Sequence, residues 1–135
     1  MSLPAFEAPT LKGSCTQIPD GIRAALVGSA DLPVQPALSQ FMTDVHVAAR
    51  TGRLRTVEVD LKGLKFMSSS CFKVFVTWLT DVRILPEAAQ YRVRMLSEPT
   101  LYWQRRSLHA LAAFGGALVE VVSSPAVQPA PGSPT

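Results

Sequence analysis

The feature that most constrains this chain is a change of hydrophobic period that recurs along its length. Segments alternating every second residue give way to segments with apolar residues three or four apart, and Gly or Pro marks most junctions. Leu11 to Gln17 reads as a weak strand with Lys12, Ser14 and Thr16 on one face. Pro19-Asp20-Gly21 is a turn signal and Ile22 to Val27 a second strand, so the two predict a hairpin. Gly28 to Pro36 reads as a loop. Leu38, Phe41, Met42, Val45 and Ala49 then predict an amphipathic helix, with Pro36 in its first turn and Gly52 just past its end. Thr56 to Leu61 suits a strand that Gly63 is expected to break. Ser68-Ser69-Ser70 offers N-caps to a second helix whose apolar face is Phe72, Phe75, Val76, Leu79 and Val82, ending before Pro86. Tyr91 to Leu96 reads as a strand. Glu98-Pro99-Thr100 opens a third helix with Leu101, Leu108, Leu111 and Ala112 on one stripe, stopped by Gly115-Gly116. Leu118 to Val122 is a last strand.

The expected order is β-β-α-β-α-β-α-β, an α/β fold. It implies a mixed β-sheet flanked by helices, largely parallel with crossover helices and an antiparallel hairpin at the start. Functional residues in such a fold gather where strands end and helices begin. A chain of 135 residues, 47% of them hydrophobic, can bury one core and not two. Pro4, Pro9, Pro19, Pro125, Pro129, Pro131 and Pro134 lie outside 22–122, so residues 1–8 are expected to be loose, 9–122 to be the domain, and 123–135 a disordered tail.

Charge and cysteine usage exclude several classes. The net charge is only +3, with no basic run, which argues against a nucleic-acid partner. Cys15 and Cys71 stand far apart, with no CxxC and no His cluster, so neither a disulfide framework nor a metal site is indicated. No cofactor motif is present: there is no P-loop and no G-x-G-x-x-G. The N-terminus lacks the regions of a signal peptide, and Lys73 and Thr77 interrupt the apolar stretch Phe72 to Leu79. The expectation is a cytoplasmic protein without a membrane partner.

The most informative segment runs from Val59 to Phe72: a strand, a short loop, then a serine cluster at a helix N-terminus. Free backbone N–H groups and the positive end of the helix dipole meet there. A phosphate attached at such a place would be stabilised and would add roughly −1.5 to −2 charges. The plainer use of these serines is capping, worth about 1 kcal/mol over alanine.

The segment resembles the signature of the STAS domain family, of the anti-sigma-factor antagonist type and the branch of STAS-like bacterial regulators. The family pattern is a strand ending in Asp-Leu, then Phe, an apolar residue, Asp, Ser, Ser or Thr, and Gly. Asp60-Leu61, Phe66-Met67 and Ser69-Ser70 match it. Upstream, Leu26, Gly28, Asp31, Leu32, Pro36 and Leu38 resemble the family's strand-end Gly, Asp and first helix. The resemblance covers about 22–122. It implies a non-enzymatic switch in which the second serine, Ser70, is phosphorylated by a GHKL-type Ser/Thr kinase that often doubles as the docking partner, and a PP2C-type phosphatase reverses it. Asp31 corresponds to the acidic residue beside that site, and Ser69 is a neighbour and a plausible cap. Asp31, Met67, Ser68, Ser69, Cys71, Phe72 and Lys73 form the implied partner-binding surface. Two positions depart from the pattern: Ser68 stands for the Asp and Cys71 for the Gly, which makes Ser68 and Ser69 alternative acceptors. They also permit an alternative, a constitutive STAS scaffold that has lost phosphorylation control.

Other residues carry weaker signals. Cys71 near a helix start is either a reactive thiol or a packing residue. Ser70 with His46 or His109 lacks the G-x-S-x-G elbow of a hydrolase, so no catalytic residue is assigned. Lys65 and Lys73 flank the serines. Arg50, Arg53, Arg55, Arg92, Arg94, Arg105 and Arg106 form short basic groups, read as solvated surface or a face for an acidic partner. Of Tyr102 and Trp103, one is expected to be exposed.

Overall fold

The computed structural model describes residues 3–123. Its strands are β1 (Ala5–Glu7), β2 (Leu11–Ile18), β3 (Gly21–Ala30), β4 (Thr56–Met67), β5 (Arg92–Ser97) and β6 (Val119–Ser123). Its helices are α1 (Gln35–Thr51), α2 (Ser69–Arg83) and α3 (Tyr102–Gly115). The sheet order equals the chain order, β1-β2-β3-β4-β5-β6. The first three strands pair antiparallel and β3 to β6 pair parallel. Because each parallel step moves the same way across the sheet, right-handed crossovers put every helix on the same face. There α1 packs on α2 and α2 on α3.

The expected order is present with one strand added in front. The expectation that residues 1–8 are loose is corrected at residues 5–7 by β1, which pairs with β2 from Ala5↔Ser14 to Glu7↔Lys12, while residues 1 and 2 lie outside the described residues. The Phe6 ring explains why so short a strand holds: it packs 5.0 Å from Phe41 of α1, over Gly13. At the other end Ser123 closes β6. Ser123 is expected to begin the disordered tail 123–135, so that boundary is corrected by one residue, and 124–135 lie outside the described residues.

The core sits between the helices and one sheet face. Leu38, Phe41, Met42, Val45 and Ala49 are the buried residues of α1, the set its periodicity predicts. In α2 the buried stripe is Cys71, Val74, Phe75, Trp78, Leu79 and Val82, so the expected Phe72 and Val76 are only half-buried. The opposite sheet face is polar. Across it Arg23 (2.8 Å) and Arg94 (3.2 Å) both bind Glu58.

Two strands run further than expected. β3 extends to Ala30 and is followed by a 3-10 turn at Leu32–Val34, so the segment from Gly28 is not all loop. β4 passes through Gly63 rather than stopping there. Its pairing with β3 shifts between Ala25↔Asp60 and Val27↔Gly63, and again between Gly28↔Leu64 and Ser29↔Phe66. Each shift inserts one extra residue into β4, a bulge that resets the in–out alternation and bends the strand. Gly28, at φ +119, lies against the carbonyl of Thr10, a position that excludes a side chain.

Among the described residues, no helix is long and apolar enough to cross a membrane, and no group of three or more His, Cys, Asp or Glu could hold a metal ion.

Candidate functional site

The candidate site lies where β3 and β4 end and α2 begins. Ser68 N–H donates to the carbonyl of Ala30 at 2.8 Å, which ties the two strand ends together. Extended backbone at Ser68 (φ −72, ψ 164) makes it the N-cap, and its Oγ accepts from Cys71 N–H at 3.2 Å. The cap is therefore Ser68, not Ser69. Ser69 and Ser70 are the next two helical residues, whose N–H groups have no intrahelical acceptor. No acidic residue lies in the first turn. The Ser69 side chain is exposed and those of Ser68 and Ser70 are half-buried, so the cluster is open to an incoming protein.

Both departures from the family pattern have a structural reading. Serine caps a helix about as well as aspartate, so Ser68 keeps the geometry while removing a charge. Cys71 is 0% exposed and fills the core beneath the first turn. Its Sγ–H donates to the carbonyl of Asp31 at 3.5 Å, which joins α2 to the end of β3. Burial pushes its thiol pKa up, the Ser68 hydrogen bond lowers it and the Asp31 charge raises it further. Cys71 is thus a packing residue, and its inclusion in the partner-binding surface is corrected: it has no surface to offer. Cys15 is likewise neutral, its thiol pushed up to about 11 by burial.

The remaining expected residues form a rim. Asp31 is half-buried, with Oδ1 accepting from the Thr10 hydroxyl at 3.1 Å. Met67 and Phe72 are half-buried, while Lys65 and Lys73 are exposed. The sequence reading missed two apolar neighbours on the same strand ends. Leu32 is 64% exposed and Phe66 48% exposed, large apolar groups that nothing in the fold covers. Two apolar residues either side of the Asp31 and Ser68 turns were the available signal.

The other missed residue is Gln104, 1% exposed on the buried face of α3. The expected stripe carried Leu101 and Ala112 there, which are only half-buried. β5 pairs with β4 only as far as Asp60↔Leu96, so the carbonyls beyond need other donors. Gln104 Nε2–H donates to Leu61 O at 2.6 Å and to Leu64 O at 3.3 Å, and Trp103 Nε1–H donates to Leu64 O at 3.1 Å. Tyr102 is 82% exposed, the free member of the aromatic pair.

Neither histidine approaches a hydrolase role. His109 is exposed on α3. His46 Nδ1 lies 2.7 Å from Tyr91 Oη, which also accepts from Trp78 Nε1–H at 2.9 Å. Trp can only donate, so the Tyr91 oxygen accepts from it and the Tyr91 hydroxyl hydrogen is free to be donated to a neutral His46 Nδ1.

No family model matches the chain, and no curated protein matches it. Solved structures do. An anti-sigma factor antagonist from Mycobacterium paratuberculosis superposes with a TM-score of 0.62 at 14% identity, over 87% of this chain and 90% of that one. The anti-sigma factor antagonist SpoIIAA in its unphosphorylated form superposes with a TM-score of 0.58 at 18% identity, over 91% of this chain and 99% of that one. The six-stranded mixed sheet, its three crossover helices and the turn that opens α2 are thus the STAS fold that the motif resemblance implied.

Proposed function

We propose that this protein is a non-enzymatic regulatory switch of the anti-sigma-factor antagonist type, acting in the cytoplasm. One observation carries the reading. Ser68 is spent as the cap, so Ser69 and Ser70 present hydroxyls at the positive end of α2, beside the exposed apolar Leu32 and Phe66. The surface of Asp31, Leu32, Phe66, Met67, Ser69, Ser70, Phe72 and Lys73 docks a signalling protein. Uncovered apolar side chains supply the affinity, and the polar rim sets orientation.

Phosphorylation at Ser70 acts on that surface directly. It adds roughly −1.5 to −2 charges to a face that must lose water to dock, and the free N–H groups of the first turn hold the phosphate in place. The fold need not change. The complementary proteins are a GHKL-type kinase that both docks and phosphorylates, and a PP2C-type phosphatase.

The test is phosphopeptide mass spectrometry after incubation with the kinase, with binding measured for Ser70→Ala and Ser70→Asp. Ser70→Ala should lose the phosphate and keep docking. Ser70→Asp should weaken docking about tenfold, by setting an unpaired charge at the rim of the docking face. Phosphate found on Ser69 would move the acceptor by one residue. No phosphate, with both variants binding like wild type, overturns the switch and leaves a constitutive scaffold.

A further inference from the structure

At the opposite end of the sheet lies a groove of about 1080 Å³. Its walls are the last turn of α1, the turn into β4, the α2–β5 connection and the first residue of β5. Arg50, Arg53, Arg55 and Arg92 all line it, and Glu87 is the one carboxylate that does. Each of the four arginines is exposed, and none has a side-chain hydrogen bond or ion pair among the described residues. Elsewhere Arg23 and Arg94 hold Glu58, and Arg83 holds the Phe114 carbonyl and ring. Arg105 and Arg106, exposed on α3, also have no side-chain partner among the described residues, but they do not line this groove.

The backbone is arranged to bring these groups together. α1 ends with Gly52 in ordinary helical geometry (φ −85), and the left-handed position falls on Arg53 (φ +53). Glycine fills that position without strain, so a charged residue is held there at a cost. Arg92 N–H donates to the carbonyl of Arg55 at 2.9 Å, which fixes the two strand starts side by side. The carbonyl end of α1 contributes only about half a negative charge. Four guanidiniums against that and Glu87 leave the groove electropositive.

All four cations are arginines. Their planar forks are always charged and match phosphate oxygens two at a time. The groove has the size of a small-molecule site and is concave rather than flat. We infer that it binds a small organic ligand carrying two or more phosphate groups, with the guanidiniums of Arg50, Arg53, Arg55 and Arg92 on the phosphates. The apolar part of such a ligand meets Val47, Leu54 and Pro86. This site is separate from the serine cluster and stands whether or not Ser70 is modified.

The experiment uses the full chain with sodium pyrophosphate and tripolyphosphate as probes, by titration calorimetry and amide NMR at constant ionic strength. Saturable binding is expected, with amide shifts confined to 50–56 and 86–92. Arg53→Gly removes a guanidinium while relieving the backbone, so it should weaken binding about tenfold with melting temperature unchanged or higher. Arg50→Gln with Arg92→Gln should abolish binding, and Ser70→Ala should leave it unchanged. Binding that sulfate matches at equal ionic strength, that survives the double variant, or that a poly-glutamate peptide exceeds overturns the proposal, the last in favour of an acidic protein segment.

Discussion

At the C-terminal ends of β3 and β4, polar groups are matched one by one: Ser68 caps Cys71, Gln104 and Trp103 serve the bulged carbonyls, and Thr10 holds Asp31. At the N-terminal ends, about 30 Å away at the rise of an extended strand, four guanidiniums stand around a groove with no side-chain partner among the described residues. One end puts its polar residues into holding a turn in place. The other leaves its charge unspent. The difference separates a surface built for shape, where a modification changes the docking, from one built for field, where a ligand supplies the missing anion. Mutations should therefore destabilise at the first end and alter binding at the second.

The largest effect is expected from Gln104→Leu. It strands the buried carbonyl of Leu61 and weakens the cover of Leu64, at about 1–3 kcal/mol for each unmet group. Urea denaturation should show a loss near 3 kcal/mol. A loss below about 0.5 kcal/mol would mean that water reaches those carbonyls and that α3 does not hold the end of β4. Phosphate acceptance at Ser70 should fall as well, because the turn that presents it is no longer fixed.

Gln104 also marks the limit of what the sequence discloses. A polar residue on an amphipathic helix reads as solvent-facing, and only the early end of β5 reveals that carbonyls need it. β4 was legible up to Leu61 because its alternation is regular. Beyond that, two bulges reset the period and Gly63 read as a stop. β1 was illegible because three residues between prolines carry no period, and its one anchor, Phe6 on Phe41, is a long-range contact. By contrast the α1 stripe was fully legible, since five apolar residues at helical spacing face a continuous core. At the site, the motif located the serines, but three in a row left the cap ambiguous until backbone angles placed it on Ser68.

That assignment sharpens the comparison within the serine end. Ser68→Ala should cost about 1 kcal/mol of stability, the worth of an N-cap. Ser69→Ala and Ser70→Ala should lie within about 0.5 kcal/mol of wild type, as surface substitutions do. If Ser70→Ala costs as much as Ser68→Ala in thermal melts, Ser70 is structural and a poor site for reversible modification. At the arginine end Arg53→Gly should act the other way, raising stability by about 0.5–1 kcal/mol through release of the left-handed position.

The smallest effect reports on the arginine end through His46, and it is silent at neutral pH. Burial lowers the pKa of His46 below its usual 6.5, Asp81 opposes that and Arg50 adds to it. A folded-state pKa below the unfolded one means that the unfolded chain takes up the proton first. The contribution of His46 is therefore fully present above pH 6.5 and is lost as pH falls through the depressed folded value. Stability should decline over that window, and His46→Gln should flatten the decline relative to wild type. Arg50 lines the groove, so neutralising its field should let His46 hold its proton more readily. NMR titration of His46 should accordingly show its pKa move up in Arg50→Gln, and also when pyrophosphate is bound to wild type. A His46 titration indifferent to pyrophosphate, while calorimetry still records binding, would place the anion away from Arg50 and break the link between the groove and the helical layer.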